Sequence, residues 1–288
     1  MKNTSWTNDE IIFLKENYSH MTNAEMAKIL DRTKTAVDLK LNKLGIKKSK
    51  YYYNQNYFKN INSADKAYWL GFIAADGYVI FKNTLESRNY ELGIEINYFD
   101  KEHLKLFNKS INGNVPIDSR KRVSYFDANQ INHTAFIRLY SCEMVKDLMS
   151  YGIIQNKSTT IDFIYLEDKY MSHFIRGYFD GNGSICIDST SRKTFECNFT
   201  CGSKKFIEGL RTYLYLVGIN SYITHERENV YRLYIKGVEN VNNFLNYIYK
   251  NSDIYYLPRK YQKACSLYRK FNYARRLPLH SEMSDFLN

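Results

Sequence analysis

Two ten-residue stretches carry the side chains best placed to do chemistry, Tyr68–Gly77 (YWLGFIAADG) and Phe174–Gly183 (FIRGYFDGNG). Each ends on a short polar side chain before glycine, Asp76 in the first and Asn182 in the second, 106 positions apart, and the second also holds Asp180. A lone Asp before Gly is ordinarily a helix stop. A carboxylate is also the hard oxygen donor that divalent cations prefer, whereas an amide oxygen coordinates without supplying charge. Asp180 lies two residues before Asn182, a rotation of about 200° on a helix, and so points away from the Asp76 side. Two lysines, Lys157 (in QNKS) and Lys260 (in LPRK), stand 103 positions apart, a spacing close to that of the two stretches.

Composition narrows the setting. A chain of 288 residues reads as roughly two domains of about 150, long enough to bury a core without staples. With 44% hydrophobic and 25% charged residues it is a folded globular protein. Lys and Arg number 41 against 30 Asp and Glu, and the resulting +11 suits a polyanionic partner such as nucleic acid. Few prolines and many Asn, Lys, Ile, Tyr and Phe fit an AT-rich genome: a phage, a low-GC bacterium or an organelle. The five cysteines form no C-x-x-C pair, which argues against a zinc ribbon or a disulfide framework. No H-E-x-x-H occurs, no apolar leader opens the chain, and no apolar run approaches the roughly 20 residues of a membrane span. The expectation is a soluble, intracellular (cytoplasmic) protein with reduced thiols.

The elements around the two stretches repeat. Each stretch predicts a helix and is followed by a strand-like segment, YVIFKN or SICIDS, then by a second strand. That second strand is Tyr90–Tyr98, with Leu92, Ile94, Ile96 and Tyr98 on one face, or Phe195–Cys201, with Phe195, Cys197, Phe199 and Cys201 buried. Helical periodicity follows over Leu104–Ile111 and Phe206–Leu216. Two further strands share Arg-Leu-Tyr, at 138–140 and 232–234, and the closing helices are Cys142–Tyr151 and Val238–Tyr249. The fold class is therefore α+β, two α-β-β-α-β-β-α repeats whose antiparallel sheets have one face covered by helices and one open for binding. Two such units suggest a pseudo-twofold saddle that grips a long duplex.

Ahead of them, residues 4–46 predict three short helices. Thr7 with Glu10 and Thr22 with Glu25 are capping boxes, a third helix begins near Thr33, and Gly45 ends it. The turn Leu30–Thr33 gives a helix-turn-helix pattern, and the third helix and its tail are basic, offering Arg32, Lys34, Thr35, Lys40, Lys47 and Lys48 to DNA. The boundaries expected are 1–46 for this all-α domain, 47–62 for a basic linker that could track a DNA backbone, 63–160 and 161–265 for the repeats, and 266–288 for a tail. Trp6-Thr7, Asn23–Ala27, Arg32–Val37 and Leu44-Gly45 together resemble Myb/SANT-like helix-turn-helix domains.

Over residues 64–265 the paired motifs, Trp69–Gly77 and Ile175–Gly183, resemble the LAGLIDADG homing endonucleases in their single-chain, two-motif form. The resemblance implies that the motif helices pack on each other through Gly71, Ala75, Gly177 and Gly181, with Asp180 an interface or capping residue. It implies that Asp76 holds a catalytic Mg²⁺ or Mn²⁺ (Ca²⁺ serving as a non-catalytic substitute) and that Asn182 occupies the second metal position. It also makes Lys157 and Lys260 active-site lysines, whose alternative reading is surface phosphate contact. On the sheets, Arg120, Lys121, Arg122, Arg138, Arg192, Lys193, Arg227 and Arg232 are the expected DNA contacts.

The activity implied is that of a monomeric, metal-dependent, site-specific DNA endonuclease that is a nicking enzyme or inactive, because an amide replaces the second acid. An engineered Asp→Asn, a natural nicking enzyme and a lost activity remain open. The alternative function is a non-cleaving DNA-binding regulator or an intron RNA maturase of the same fold.

Overall fold

The computed structural model describes residues 5–18, 21–46, 51–83, 88–123, 130–187 and 195–275. Lys47, Lys48, Arg192 and Lys193 lie outside the described residues. By its contacts the chain divides into two units, residues 1–59 with 90–145 and residues 60–89 with 146–288. Among the described residues, eight strands sort into two antiparallel four-stranded sheets, accompanied by ten α-helices.

The chain opens with α1 (Asn8–Asn17), α2 (Asn23–Ile29) and α3 (Lys34–Lys43). Thr7 and Glu10 close a reciprocal capping box on α1, and Thr22 and Glu25 close another on α2. The Thr33 side chain accepts from Ala36 N–H to start α3, and Gly45 ends it at a φ of 71°. Leu14, Met26, Ala27, Val37 and Leu41 form the module's core, with Trp6, Phe13, Tyr18 and Leu30 packed around it.

The next elements are α4 (Ala64–Asp76), β1 (Gly77–Asn83), β2 (Arg88–Asn97), α5 (Lys101–Ser110), β3 (Asp118–Val123), β4 (Ile131–Tyr140) and α6 (Cys142–Ser150). They are followed by α7 (Asp168–Asn182), β5 (Gly183–Ile187), β6 (Phe195–Cys201), α8 (Lys204–Leu216), β7 (Tyr222–Arg227), β8 (Val230–Lys236), α9 (Val238–Tyr249) and α10 (Pro258–Arg275). The repeated element order read from the sequence is present twice. α10 runs through position 265, so the tail expected to begin at 266 starts inside a helix.

In the first unit β2 pairs with β4 and β4 with β3, setting Leu92 against Leu139, Ile94 against Ile137 and Ile96 against Ala135 on the buried face. Tyr98 is not part of the strand. The Asn97 side chain accepts from Phe99 N–H and turns the chain into one 3-10 turn before α5. The second sheet runs β5-β6-β8-β7, with Ile185, Cys197, Phe199, Cys201, Leu233 and Ile235 buried on the helix side. Phe195, at the strand start, is only half-buried.

The segment read as a basic linker is packed instead. Tyr53, Tyr57 and Phe58 are buried, Asn54 N–H donates to the Ile111 carbonyl, and Asn114 N–H donates to the Tyr52 carbonyl. Its aromatic side chains have too much apolar surface to stay in water. Among the described residues no helix is long and apolar enough to cross a membrane.

The densest packing in the second unit is α4 against α7. A Cβ at Gly177 would fall 1.9 Å from the Tyr68 carbonyl oxygen, and one at Gly71 would fall 2.0 Å from that of Phe174. Both neighbours are backbone, which cannot move aside. We therefore expect Gly177→Ala to lower stability by about 3 kcal/mol or more, read as a lowered thermal midpoint or loss of soluble protein. A variant melting with the parent would show that the helices are not held this closely.

Candidate functional site

Pairing through glycines brings the two helix ends together. The carboxylate of Asp76 lies 3.4 Å, at Oδ2, from where a Gly181 Cβ would stand, and the methyl of Ala75 lies 2.4 Å from the same point. Gly71, Ala75, Gly177 and Gly181 therefore share one interface, and Asp76 stands beside the residue that precedes Asn182. Both side chains are half-buried at the last helical position, immediately before a strand. The Asn182 amide nitrogen donates to the Tyr178 hydroxyl at 3.5 Å, which leaves the amide oxygen as its acceptor atom.

The two lysines are buried rather than on the surface, at 6% and 7% exposure. Each sits on the C-terminal, electronegative end of a motif helix. Lys157 Nζ donates to the Gly77 carbonyl and lines a small cleft of about 110 Å³ together with Ala75, Tyr178, Asn182 and Cys201. Burial pulls its pKa down to about 8, against the opposing pull of the Asp76 charge. Lys260 Nζ donates to the carbonyls of Phe179 (2.7 Å), Asp180 (2.7 Å) and Gly181 (3.3 Å). Three acceptors take up the three ammonium protons, so Lys260 caps α7 and differs from Lys157.

Asp180 is 1% exposed and faces away from this cleft. Its carboxylate accepts from Tyr68 Oη (2.8 Å), Tyr249 Oη (3.0 Å) and Leu257 N–H (2.7 Å). Burial raises its pKa, while Lys260 and these three donors oppose the rise. Beside it Arg176 donates to the carbonyls of Tyr255 (2.7 Å) and Ile248 (2.8 Å) and to His173 Nδ1 (2.9 Å). Sequence reasoning missed Arg176, His173, Tyr178 and Tyr249. The signal available was an Arg at position 176, where the first motif has Leu70.

The expected DNA contacts fare unevenly. Arg32 is 6% exposed, forks onto Glu10 through Nε (3.0 Å) and Nη2 (2.7 Å), and lies 4.1 Å from the Trp6 ring centre. It holds the helical module together and is not offered to a phosphate, because the buried Glu10 carboxylate needs a partner. Lys34 and Thr35 are exposed on the first turn of α3, and Lys40 is half-buried with its ammonium 5.7 Å from Trp6. Arg120 is paired with Glu95, and Arg138 lies 3.6 Å from Glu91. Lys121, Arg122 and Arg227 are exposed, and Arg232 is half-buried with Nη1 donating to Tyr234 Oη at 3.2 Å. The open face of the second sheet also carries Tyr222 stacked on Tyr234 (5.3 Å between centres) and a Lys236–Glu196 ion pair at 3.1 Å, which the sequence did not single out.

For a cation, Asp76 and Asn182, at the ends of two packed helices, carry two hard oxygen donors, one of them charged. No group of three His, Cys, Asp or Glu side chains able to hold a metal is found among the described residues. The donor set suits Mg²⁺, Mn²⁺ or Ca²⁺ better than zinc, with less anionic charge than two carboxylates would give.

Residues 169–249 match the family model of the LAGLIDADG-like domain. The fold is similar to that of the crystal structure of LAGLIDADG homing endonuclease I-GzeII in complex with DNA target, at 11% identity and a TM-score of 0.52, over 75% of this chain and 93% of that one. A "Probable cell division protein WhiA" of Clostridium acetobutylicum is 28% identical over 114 residues, 37% of this chain and 35% of its own. "DNA-directed RNA polymerase subunit Rpo1C" of Methanocaldococcus jannaschii is 31% identical over 91 residues, 31% of this chain. The chain thus spans about a third of the length of the first relative and a tenth of the second.

The buried network predicts a pH response. Arg176 can only donate, so His173 Nδ1 must accept and the ring must stay neutral. Burial, and secondly the Arg176 charge, hold the His173 pKa down to about 4. Between pH 6.5 and 4 the unfolded chain therefore binds a proton that the folded chain refuses, so stability falls as pH falls through this window, by on the order of 2 kcal/mol. Urea midpoints at pH 7 and pH 4.5 should differ less in His173→Gln than in the parent, and an identical pH slope would remove this account.

Proposed function

We propose that this chain, which has the fold of the LAGLIDADG homing endonucleases and carries a LAGLIDADG-like domain over 169–249, is a site-specific DNA endonuclease dependent on a divalent metal. It cuts one strand of its target and cuts the other poorly. The observation that carries this reading is the unequal pair at the helix ends: a charged Asp76 at the end of α4, where Lys157 makes one bond to the next carbonyl, and an uncharged Asn182 at the end of α7, where Lys260 is taken up by three carbonyls.

Asp76 and Asn182 would hold Mg²⁺ or Mn²⁺ through their side-chain oxygens, with Ca²⁺ able to bind without supporting catalysis. Such an ion would offset charge on the phosphate and make a bound water more acidic. The chain's own residues do the rest. Asp76 supplies the anionic donor; Asn182 holds position through its bond to Tyr178 but adds no charge, which weakens the site on its side. Lys157, which donates to the Gly77 carbonyl and forms a wall of the cleft, is poised to offset charge on a phosphate. Lys260 fixes α7.

Both motif helices are in one chain, so the protein acts as a monomer, and a DNA substrate places its work inside the cell. The three-helix module, as a Myb/SANT-like reader with Lys34, Thr35 and Lys40 toward DNA, lengthens the recognised site. A second reading is favoured by the same amide: a DNA-binding regulator, or an intron RNA maturase, that has given up cleavage.

Incubation with Mg²⁺ or Mn²⁺ and a supercoiled plasmid carrying the insertion junction should give nicked circles with the parent and linear DNA with Asn182→Asp. Asp76→Asn should abolish nicking, by about 100-fold or more, while sparing binding. No cleavage by the parent or by Asn182→Asp would establish the non-cleaving reading. Removal of residues 1–46 should shorten the DNase footprint; an unchanged footprint would mean the module reads nothing.

A further inference from the structure

One charged group on the open face of the first unit's strands is built differently from the rest. Arg120 on β3 faces Thr134 on β4, and Glu95 on β2 faces Phe136 on β4. The four side chains gather on the face opposite Leu92, Ile94, Ile137 and Leu139, the buried residues of the same strands. Arg120 donates to Glu95 Oε1 through Nε at 2.8 Å and to Oε2 through Nη2. Thr134 Oγ1 donates to the same Oε1 at 2.6 Å, and the guanidinium carbon lies 5.0 Å from the centre of the Phe136 ring. The Arg120 and Glu95 side chains are 26% and 22% exposed.

The chemistry of that fork is specific. A guanidinium carries five N–H donors in a plane. Glu95 takes the edge formed by Nε and Nη2, which leaves three donors, two of them parallel on the edge formed by Nη1 and Nη2. Two parallel donors on one edge match the O6 and N7 acceptors that guanine shows in the major groove. Because the carboxylate neutralises the guanidinium, the pair draws little on the phosphate backbone, whose attraction is for net positive charge. Glu95 stays ionised: burial pushes its pKa up, but the Arg120 and Thr134 hydrogen bonds and the Arg120 charge bring it below the ordinary value. The side chain is also fixed before any DNA arrives, so little rotamer freedom is lost on contact. Arg138 also lies over the Phe136 ring, at 4.9 Å, but stands 3.6 Å from its carboxylate, Glu91; Arg232 bonds a tyrosine, and Arg122 and Arg227 are exposed.

We propose that Arg120, held by Glu95 and Thr134 over Phe136, is a preformed reader of one guanine in the major groove of the target, with Glu95 its positioning residue. This rests on the DNA-binding reading above and adds which base is chosen and by what.

The test is selection of the full-length protein on a randomised duplex library, followed by competition binding, for the parent, Arg120→Lys and Glu95→Gln. The parent should enrich guanine at one position. Arg120→Lys should lower that preference about 10-fold or more, with the other positions unchanged. Glu95→Gln should relax the same position while binding random duplex more tightly, with a steeper salt dependence from the added positive charge. Retention of the full base profile by Arg120→Lys overturns the proposal, and so does a Glu95→Gln protein that keeps both its guanine preference and its salt slope. A parent that enriches a sequence with no Arg120-sensitive guanine overturns this inference alone. A parent that enriches nothing overturns the DNA reading and this inference with it. β3 is a terminal strand in the order β2-β4-β3, and Arg120 is partly exposed, so neither substitution removes core packing.

Discussion

The contact on which the second unit depends is the approach of two helix backbones at Gly71 and Gly177. Glycine inside a helix costs about 1 kcal/mol relative to alanine, and here the close approach recovers it: each position sits where a Cβ would strike the partner's carbonyl oxygen. Helices this close share a fixed register, and that register sets Asp76 beside Gly181. The placement of the acid beside the residue that precedes the amide is a consequence of packing.

Behind that seam lies a buried polar cluster that locks α7 to the segments after it. Arg176 donates to the carbonyls of Tyr255 and Ile248 and to His173, and Asp180 accepts from the Tyr68 and Tyr249 hydroxyls and the Leu257 N–H. Removing one member would leave charge uncompensated in a dry setting, which is far more costly than never having placed it there. The first motif, with Leu70 and Ala74 at the matching positions, has no such cluster. The two repeats are alike in outline and different in how their helices are anchored. The lysines follow the same pattern: Lys260 is consumed by α7's last carbonyls, while Lys157 donates to the Gly77 carbonyl and borders the cleft.

Net charge of +11 does not translate into a uniformly bare basic surface. Arg32 is inside the helical module, Arg120 is tied to Glu95, Arg138 stands near Glu91, and Lys236 is paired with Glu196. Pairing lowers the net positive charge that these side chains present to a polyanion and leaves directed donors behind.

The element order was legible in the sequence, because each strand and helix buries one face and the apolar period records it. The capping boxes at Thr7 and Thr22 and the end of α9 at Tyr249 needed nothing more than local hydrogen bonding and hydrophobic spacing. The helix seam was legible too, since two glycines at matched places in two copies have few other uses. What the sequence could not settle was the fate of individual charges. Arg32, Lys157 and Lys260 read as surface or catalytic cations, and each is buried against an acceptor contributed by a distant part of the chain. The aromatic run at 51–58 read as a linker for the same reason. Whether a charge or a ring faces water depends on which remote backbone oxygens, carboxylates and apolar surfaces the fold brings to it, and that is decided only when the tertiary structure closes.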